Sequence, residues 1–253
     1  MENNKYKLTA DYHTHTIYSK NNHGKGTIRQ NVEQAIRLGI KEIYITDHGP
    51  GHPLYGISRK KLPQIRTEID KLKEEYKDKI NIVLGVEANI VDYNGKYDIR
   101  DEDLKYFDKI NLGYHSGVWF KNIKSFFIYH ILNRIAKYNK KIKDYCIKVN
   151  TDAVIKIIKE KNINLITHPG DKVKVDILRL ARVCEEYDVI MEINNHHTHL
   201  NVQEIKEAMK TGVKFSVGSD AHKPEDVGVV DRAIQRIEEA NLDIDRVINL
   251  EHR

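Results

Sequence analysis

The 253-residue sequence is poor in thiols. It carries two cysteines, Cys146 and Cys184, and no Cys-x-x-Cys pair. That pattern suggests neither a disulfide framework nor a thiolate zinc site. It also lacks an apolar stretch long enough to span a bilayer, and its start, Met1-Glu2-Asn3-Asn4-Lys5, is polar rather than signal-like. No membrane role and a cytoplasmic location are the resulting expectations. Low-complexity tracts, fixed-period repeats and flexible Gly/Ser linkers are missing too, so one domain is the simplest reading. Charge is only mildly one-sided: 42 Lys and Arg against 37 Asp and Glu give +5. This is compatible with an anionic substrate but does not select one. The length is ordinary for an α/β barrel and suffices for a large core without cross-links.

What the chain does have is histidine, thirteen in all. Seven of them, with Glu87 and Asp220, fall into short motifs spread along the chain. These are His13-Thr14-His15, His23, Thr46-Asp47-His48, Gly85-Val86-Glu87, Gly113-Tyr114-His115, Thr167-His168-Pro169 and Gly218-Ser219-Asp220-Ala221-His222. Nearly every motif follows an apolar, strand-like run.

Strand-like and helix-like runs alternate. Strands are expected at Leu8–Tyr12, Glu42–Thr46, Ile80–Val86, Lys109–Gly113, Asn164–Thr167, Val189–Ile193 and Lys214–Val217. Helices are expected over Thr27–Leu38, with Thr27 as N-cap, and over Ser58–Tyr76, with Pro63 delaying or kinking its start. Further helices are expected near Thr151–Lys161, Val175–Tyr187, Val202–Lys210 and Asp231–Ala240. Repeated β-then-α order implies a parallel sheet with right-handed crossovers, and so many units favour a closed barrel. Barrel sites lie at the carboxyl ends of the strands. His13, His48, Glu87, His115, His168, Asn194 and Asp220 each follow one expected strand, so their side chains should converge at one end. An insertion at about 119–150 interrupts the pattern. Trp119, Ile123, Phe126, Phe127, Ile131 and Ile135 recur at helical spacing, and Lys121 to Lys148 carries many cations against the single acid Asp144. The plain reading is an amphipathic helix packed on the barrel by its apolar stripe. The sharper one is a lid or a basic substrate-contact surface.

Each motif is weak alone. His13 and His15 share one side of an extended backbone and can grip one metal or two neighbours. His23 sits in a Gly-rich loop and by itself reads as an exposed loop residue. Asp47 is a candidate for orienting a ligand. Glu87 ends an apolar strand, and a buried carboxylate there needs a metal or a cation. Imidazole and carboxylate donors without thiolates suit zinc, manganese or iron, and nine donors suit two or three ions.

The ordered set is similar to the PHP (polymerase and histidinol phosphatase) family, most of all its stand-alone YcdX-type phosphatase branch. The resemblance runs through Asp11 to Thr16, Ile45 to Pro50, Gly85 to Ile90, Ile166 to Gly170, Glu192 to Asn195 and Gly218 to His222. It implies a distorted (β/α)7 TIM-like barrel, one domain spanning 1–253, with three divalent metals, zinc first and manganese or iron as alternatives. It assigns His13, His15, Glu87 and Asp220 to a first metal, Glu87, His115 and His168 to a second, and His23, His48 and His222 to a third. Glu87, Asp220 and His222 would sit at the catalytic centre. The chain departs from the family in two places: the run His196-His197-Thr198-His199 and the length of the basic insertion. His196, His197 and His199 are candidate substrate contacts, as are Lys25, Arg59 and Lys172 for phosphate. His52, His130 and His252 read as ordinary residues.

Three divalent ions against two carboxylates leave a site of about +4, with the histidines neutral. Such a site attracts a phosphate dianion far more than a neutral amide. The resemblance therefore implies hydrolysis of a phosphate monoester on a small molecule, by hydroxide formed on the metals. A phosphodiesterase or exonuclease on nucleic acid, an amidohydrolase and a metal-dependent binding module are the alternatives. The oligomeric state is not readable.

Overall fold

The computed structural model describes residues 5–253. Its chain order is β1 (Tyr6–Leu8), β2 (Ala10–Asp11), α1 (Ile28–Arg37), β3 (Glu42–Ile45), α2 (Leu62–Glu75), β4 (Asn81–Asp92), β5 (Lys96–Tyr97) and β6 (Lys109–Gly113). Then come α3 (Ile123–Phe127), α4 (Asn133–Ile135), α5 (Lys140–Glu160), β7 (Leu165–Ile166), α6 (Ile177–Glu186), β8 (Ile190–Asn194), α7 (Val202–Ala208), β9 (Phe215–Gly218), α8 (Asp231–Ala240) and β10 (Leu250–His252).

Seven strands run parallel in the order β2-β3-β4-β6-β7-β8-β9. The ends of this sheet meet. Thr14, after β2, forms a parallel bridge with Ala221, after β9, and the His15 amide donates to the Ala221 carbonyl at 2.8 Å. Lower down, one side chain spans the gap. The Asn249 amide donates to the Ala10 and Val217 carbonyls at 2.8 and 2.7 Å and accepts from the Val217 N–H at 3.0 Å. The result is the nearly closed seven-stranded α/β barrel expected. Its interior and the faces under the helices are filled by buried Ile, Val and Leu, with Phe215 and Met191 fully enclosed.

Local chemistry explains most boundaries. Thr27 caps α1 in a reciprocal box with Gln30. Pro63 occupies the first turn of α2, where its missing N–H costs nothing, and a short 3-10 turn at Arg59–Lys61 precedes it. Ser58 makes no side-chain cap.

Four expectations change. The first strand is two: β1 pairs antiparallel with β10 outside the barrel, and only β2 enters it. β4 runs to Asp92, because its first half pairs with β3 and its second half, from Gly85 to Asn89, pairs with β6. α5 begins at Lys140 rather than near Thr151. The insertion's apolar stripe does not pack on the barrel: Trp119, Ile123, Phe126, Phe127, Ile131 and Ile135 are all exposed. The buried side of that segment is Ser125, Ile128 and Tyr129 instead.

Candidate metal centre

All nine sequence-derived donors reach one cleft at the carboxyl ends of the strands. Glu87 lies mid-way along β4 because that strand outruns its neighbour β3. It is buried at its centre. Glu87 Oε1 has His115 Nε2 at 2.9 Å, His168 Nε2 at 3.1 Å and His13 Nε2 at 3.3 Å. Its Oε2 has His48 Nδ1 at 3.1 Å and His15 Nε2 at 3.6 Å. Asp220 Oδ1 has His15 Nε2 at 3.1 Å and His13 Nε2 at 3.6 Å. His23, carried in by the 16–26 loop, places Nε2 3.1 Å from His48 Nε2 and 2.9 Å from His222 Nε2.

Two glycines permit this crowding. A Cβ on Gly218 would collide with the Glu192 carboxylate and crowd His13. One on Gly24 would enter the Thr16 backbone, where the loop turns back after His23. His168 and Asp220 adopt positive φ, 29° and 53°, at their strand ends. Non-glycine residues pay for such backbone, and the cost commonly sits at functional positions.

The nitrogen geometry tests whether ions fit. His222 Nδ1 donates to the Asp220 carbonyl at 2.7 Å, so its Nε2 presents a lone pair. His48 and His222 both face the same His23 nitrogen, and one proton or lone pair there cannot serve both. A cation satisfies all three. Donors about 2.1 Å from a tetrahedral ion lie ~3.4 Å apart, close to the spacings seen. Three compact groups stand out: His13, His15 and Glu87; His15, Asp220 and His222; and His48, Glu87 and His115. The donor set fits divalent metals.

Electrostatics in the metal-free chain divide the histidines. Burial pushes His23 down to about 3 and His222 to about 4, and holds His48 and His115 low. Burial opposes protonation of His13 as well, yet Glu87, Glu192 and Asp220 lift it well above its ordinary value. His168 is raised in the same way, chiefly by Glu87. Burial would raise Glu87 and Asp220, but the surrounding imidazoles hold both well below the carboxylate range.

Glu192 is the residue that sequence reasoning underused. Its Oε1 accepts from His13 Nδ1 at 2.8 Å, which fixes the ring with Nε2 toward the cleft. Its Oε2 accepts from the His168 amide at 2.8 Å and Asn194 Nδ2 at 2.9 Å. Only its place two residues before Asn194 in an apolar strand hinted at a buried carboxylate. Asp47 does not touch a ligand histidine. It accepts from the Thr16 amide and hydroxyl and from the Ser19 hydroxyl, at 2.6–2.7 Å, and so holds the loop that delivers His23.

The cleft has a volume of about 200 Å³. His196, His197 and Lys172 line it, and so do His52, Tyr55 and Ser116, which sequence reasoning left aside. His52 is buried, donates to the Ser116 carbonyl at 3.0 Å, and accepts from the Tyr55 amide at 3.1 Å. The Tyr55 ring stacks on His23, with centroids 4.1 Å apart. His197 spans Asp171, 3.3 Å away, and Asp220, 3.5 Å away. Three other candidates sit elsewhere. Arg59 pairs with Asp103 at 3.0 Å and faces a separate cleft. Lys25 is exposed and outside the lining. His199 bonds Glu204 at 2.6 Å, at the start of α7. Two larger clefts, of about 570 and 530 Å³, gather no comparable set of donors.

The PHP domain family model matches residues 11–196. The chain belongs to the PHP-domain family. A PHP-associated model matches residues 198–249, which contribute β9 and its partners to the same barrel. The chain is 32% identical to "Probable phosphatase" of Caldanaerobacter subterraneus subsp. tengcongensis, over 97% of this chain and 88% of that one. It is 28% identical to "Probable phosphatase YcdX" of Escherichia fergusonii, over 95% and 89%. Among solved structures, the PHP barrel here is similar to histidinol phosphate phosphatase of Lactococcus lactis complexed with zinc, L-histidinol and phosphate. That TM-score is 0.60, with 18% identity and coverage of 93% and 95%. At this identity the likeness speaks for the fold.

Proposed function

We propose that the protein is a metal-dependent phosphatase that hydrolyses a phosphate monoester on a small molecule. The observation that carries this is the crowding of seven histidines around two buried carboxylates, in a member of a family with phosphatase-named relatives. Three ions would be held by His13, His15, Glu87 and Asp220; by Glu87, His115 and His168; and by His23, His48 and His222. Glu87 would be shared by the first two sets, and its Oε1 lies within 3.3 Å of His13, His115 and His168. When bound, divalent ions supply Lewis acidity toward phosphoryl oxygens and make water acidic enough to ionise near neutral pH.

The chain's own residues do the rest. Glu87 and Asp220 are the only carboxylates among the nine donors, so the loaded cleft stays strongly positive and selects a dianion. Glu192 and Asn194 fix His13 and Asp220. Lys172 lines the cleft with its ammonium paired to Asp171 at 2.7 Å, and would have to share or exchange that partner to meet a phosphate oxygen. His197, steadied by Asp171, faces the same space from the β8 side. His52 and Tyr55 close the wall beside His23, and the small volume suits a phosphoryl group with a small leaving group projecting outward.

The test is metal analysis of the purified protein together with a panel of a phosphomonoester, a phosphodiester and an amide. About three ions per chain with monoester turnover is the expected outcome. Fewer than two ions at full occupancy, or turnover of amides only, contradicts the proposal. Glu87→Gln should cut turnover by at least ~100-fold without unfolding the barrel, since it removes a charged donor where charge develops.

A further inference from the structure

The chain between β6 and α5 presents a surface that the metal cleft does not use. Residues 123–135 form a continuous helical run, α3 and α4 joined through a π-helical stretch at Ile128–Leu132. Its inner side is anchored. Ile128 and Tyr129 are buried, and the Tyr129 hydroxyl donates to the His115 carbonyl at 3.0 Å. Its outer side is also apolar. Ile123, Phe127, Ile131 and Ile135 lie four residues apart and are 86%, 49%, 39% and 40% exposed. Phe126 and Tyr138, in the same stretch of chain, are 50% and 79% exposed. A helix apolar on both sides is ordinarily covered on both, and a row of neighbouring exposed apolar side chains marks an interaction site.

The charges around this row have one sign. Lys121, Lys124, Arg134, Lys137, Lys140 and Lys141 are all exposed, and no Asp or Glu occurs between Lys109 and Lys143. We propose that this segment docks on the surface of an anionic lipid bilayer. A second copy applied through the same face would set lysine against lysine. A nucleic-acid strand would match the charge and could stack on Phe126, Phe127 and Tyr138, but it would leave the exposed aliphatic side chains of Ile123, Ile131 and Ile135 against a charged backbone with nothing to bury them. An aliphatic and aromatic row flanked by lysines is what enters the headgroup–acyl boundary of an anionic membrane. The segment leaves β6 just after His115, on the face where the histidine cleft opens, so docking would hold the cleft beside the lipid surface. This inference does not depend on the phosphatase reading.

Sedimentation of the full-length protein with vesicles tests it, using phosphatidylcholine alone and an equal mixture of phosphatidylcholine and phosphatidylglycerol. Binding should appear with the mixture only and weaken in high salt. The triple variant Ile123→Asp/Phe127→Asp/Ile131→Asp should lose it at least tenfold, as should Lys137→Glu/Lys140→Glu/Lys141→Glu. Both should keep the wild-type melting curve and the wild-type metal content. The proposal is overturned by equal sedimentation with both vesicles, by no sedimentation with either, or by variants that bind like wild type. It is also overturned if Ile123→Asp dissolves a dimer that forms without lipid, or if single-stranded DNA is retained more tightly than the anionic vesicles.

Discussion

At the scale of the residue, this protein works by setting donors against one another. Glu87 and Asp220 are buried carboxylates kept ionised by imidazoles, and His13 is a buried imidazole kept basic by carboxylates. Such a group is expensive without its partners, which is why so many lie within 3.6 Å of one another. Glu192 is the piece that sets direction. Glu192→Gln keeps the shape but removes the charge behind His13 Nδ1. It should lower metal affinity or turnover by ~10–100-fold, the usual scale for residues that orient a ligand. Titration with zinc against a chelating dye measures this, and a variant with unchanged affinity and unchanged turnover would remove Glu192 from the centre. Of the site, the candidate donors were legible as strand-end motifs, except His23, which lies in a loop and stood on the family resemblance. Glu192, His52 and Tyr55 were not, because nothing in their local spacing marks a side chain that reaches the site from the next strand or from across a loop.

At the scale of the element, strand length and stagger do the positioning. β4 serves two neighbours in turn, so Glu87 sits level with His48 on one side and Asn111 on the other, and His115 reaches back to it from just beyond the end of β6. The barrel closes with few direct ladder bonds between β9 and β2, and Asn249 substitutes for them. Asn249→Ala would leave two carbonyls and one N–H unpaired in a buried seam. At ~1–3 kcal/mol for each group left unsatisfied, a loss of at least ~2 kcal/mol is expected in urea denaturation. A shift within error would mean that the seam relaxes onto other partners. The capped helices and the apolar strands were readable from residue order, since Thr27, Gln30 and Pro63 act within a few residues of themselves. Of the two readings of the insertion, the packed apolar stripe does not hold, because periodicity shows that a stripe exists, whereas which side is covered depends on what lies opposite.

At the scale of the whole molecule, the proposed metal loading should be linked to folding. Divalent ions that bind the assembled cleft and not the unfolded chain should raise the thermal midpoint, and chelation should lower it. Calorimetry with and without EDTA checks this, and identical midpoints would mean that no ion is held. The metal-free chain should also be acid-sensitive. His23, His48, His52, His115 and His222 have folded-state values below the ordinary one. Below pH ~6.5 the unfolded chain takes up protons that the folded chain refuses, so these five lose stability as pH falls. His13 and His168 have raised values and act oppositely, contributing most below pH ~6.5 and fading as pH rises. Five against two predicts a midpoint that falls between pH ~6.5 and ~4. A metal-free midpoint that rises over that range would contradict the assignment.

Residue order alone determined the strand–helix alternation, the barrel, the family resemblance and the nine candidate donors, because these depend mostly on chemistry repeated at short range: apolar runs, caps, and a polar group one step past a strand. Tertiary structure decided how the donors pair, since His15, Glu87 and Asp220 meet only when the barrel closes between residues about 200 positions apart. It decided that Arg59, Lys25 and His199 face elsewhere while His52 and Tyr55 face in. It also decided that the insertion's apolar row looks outward, because burial belongs to the surface opposite and not to the residue itself.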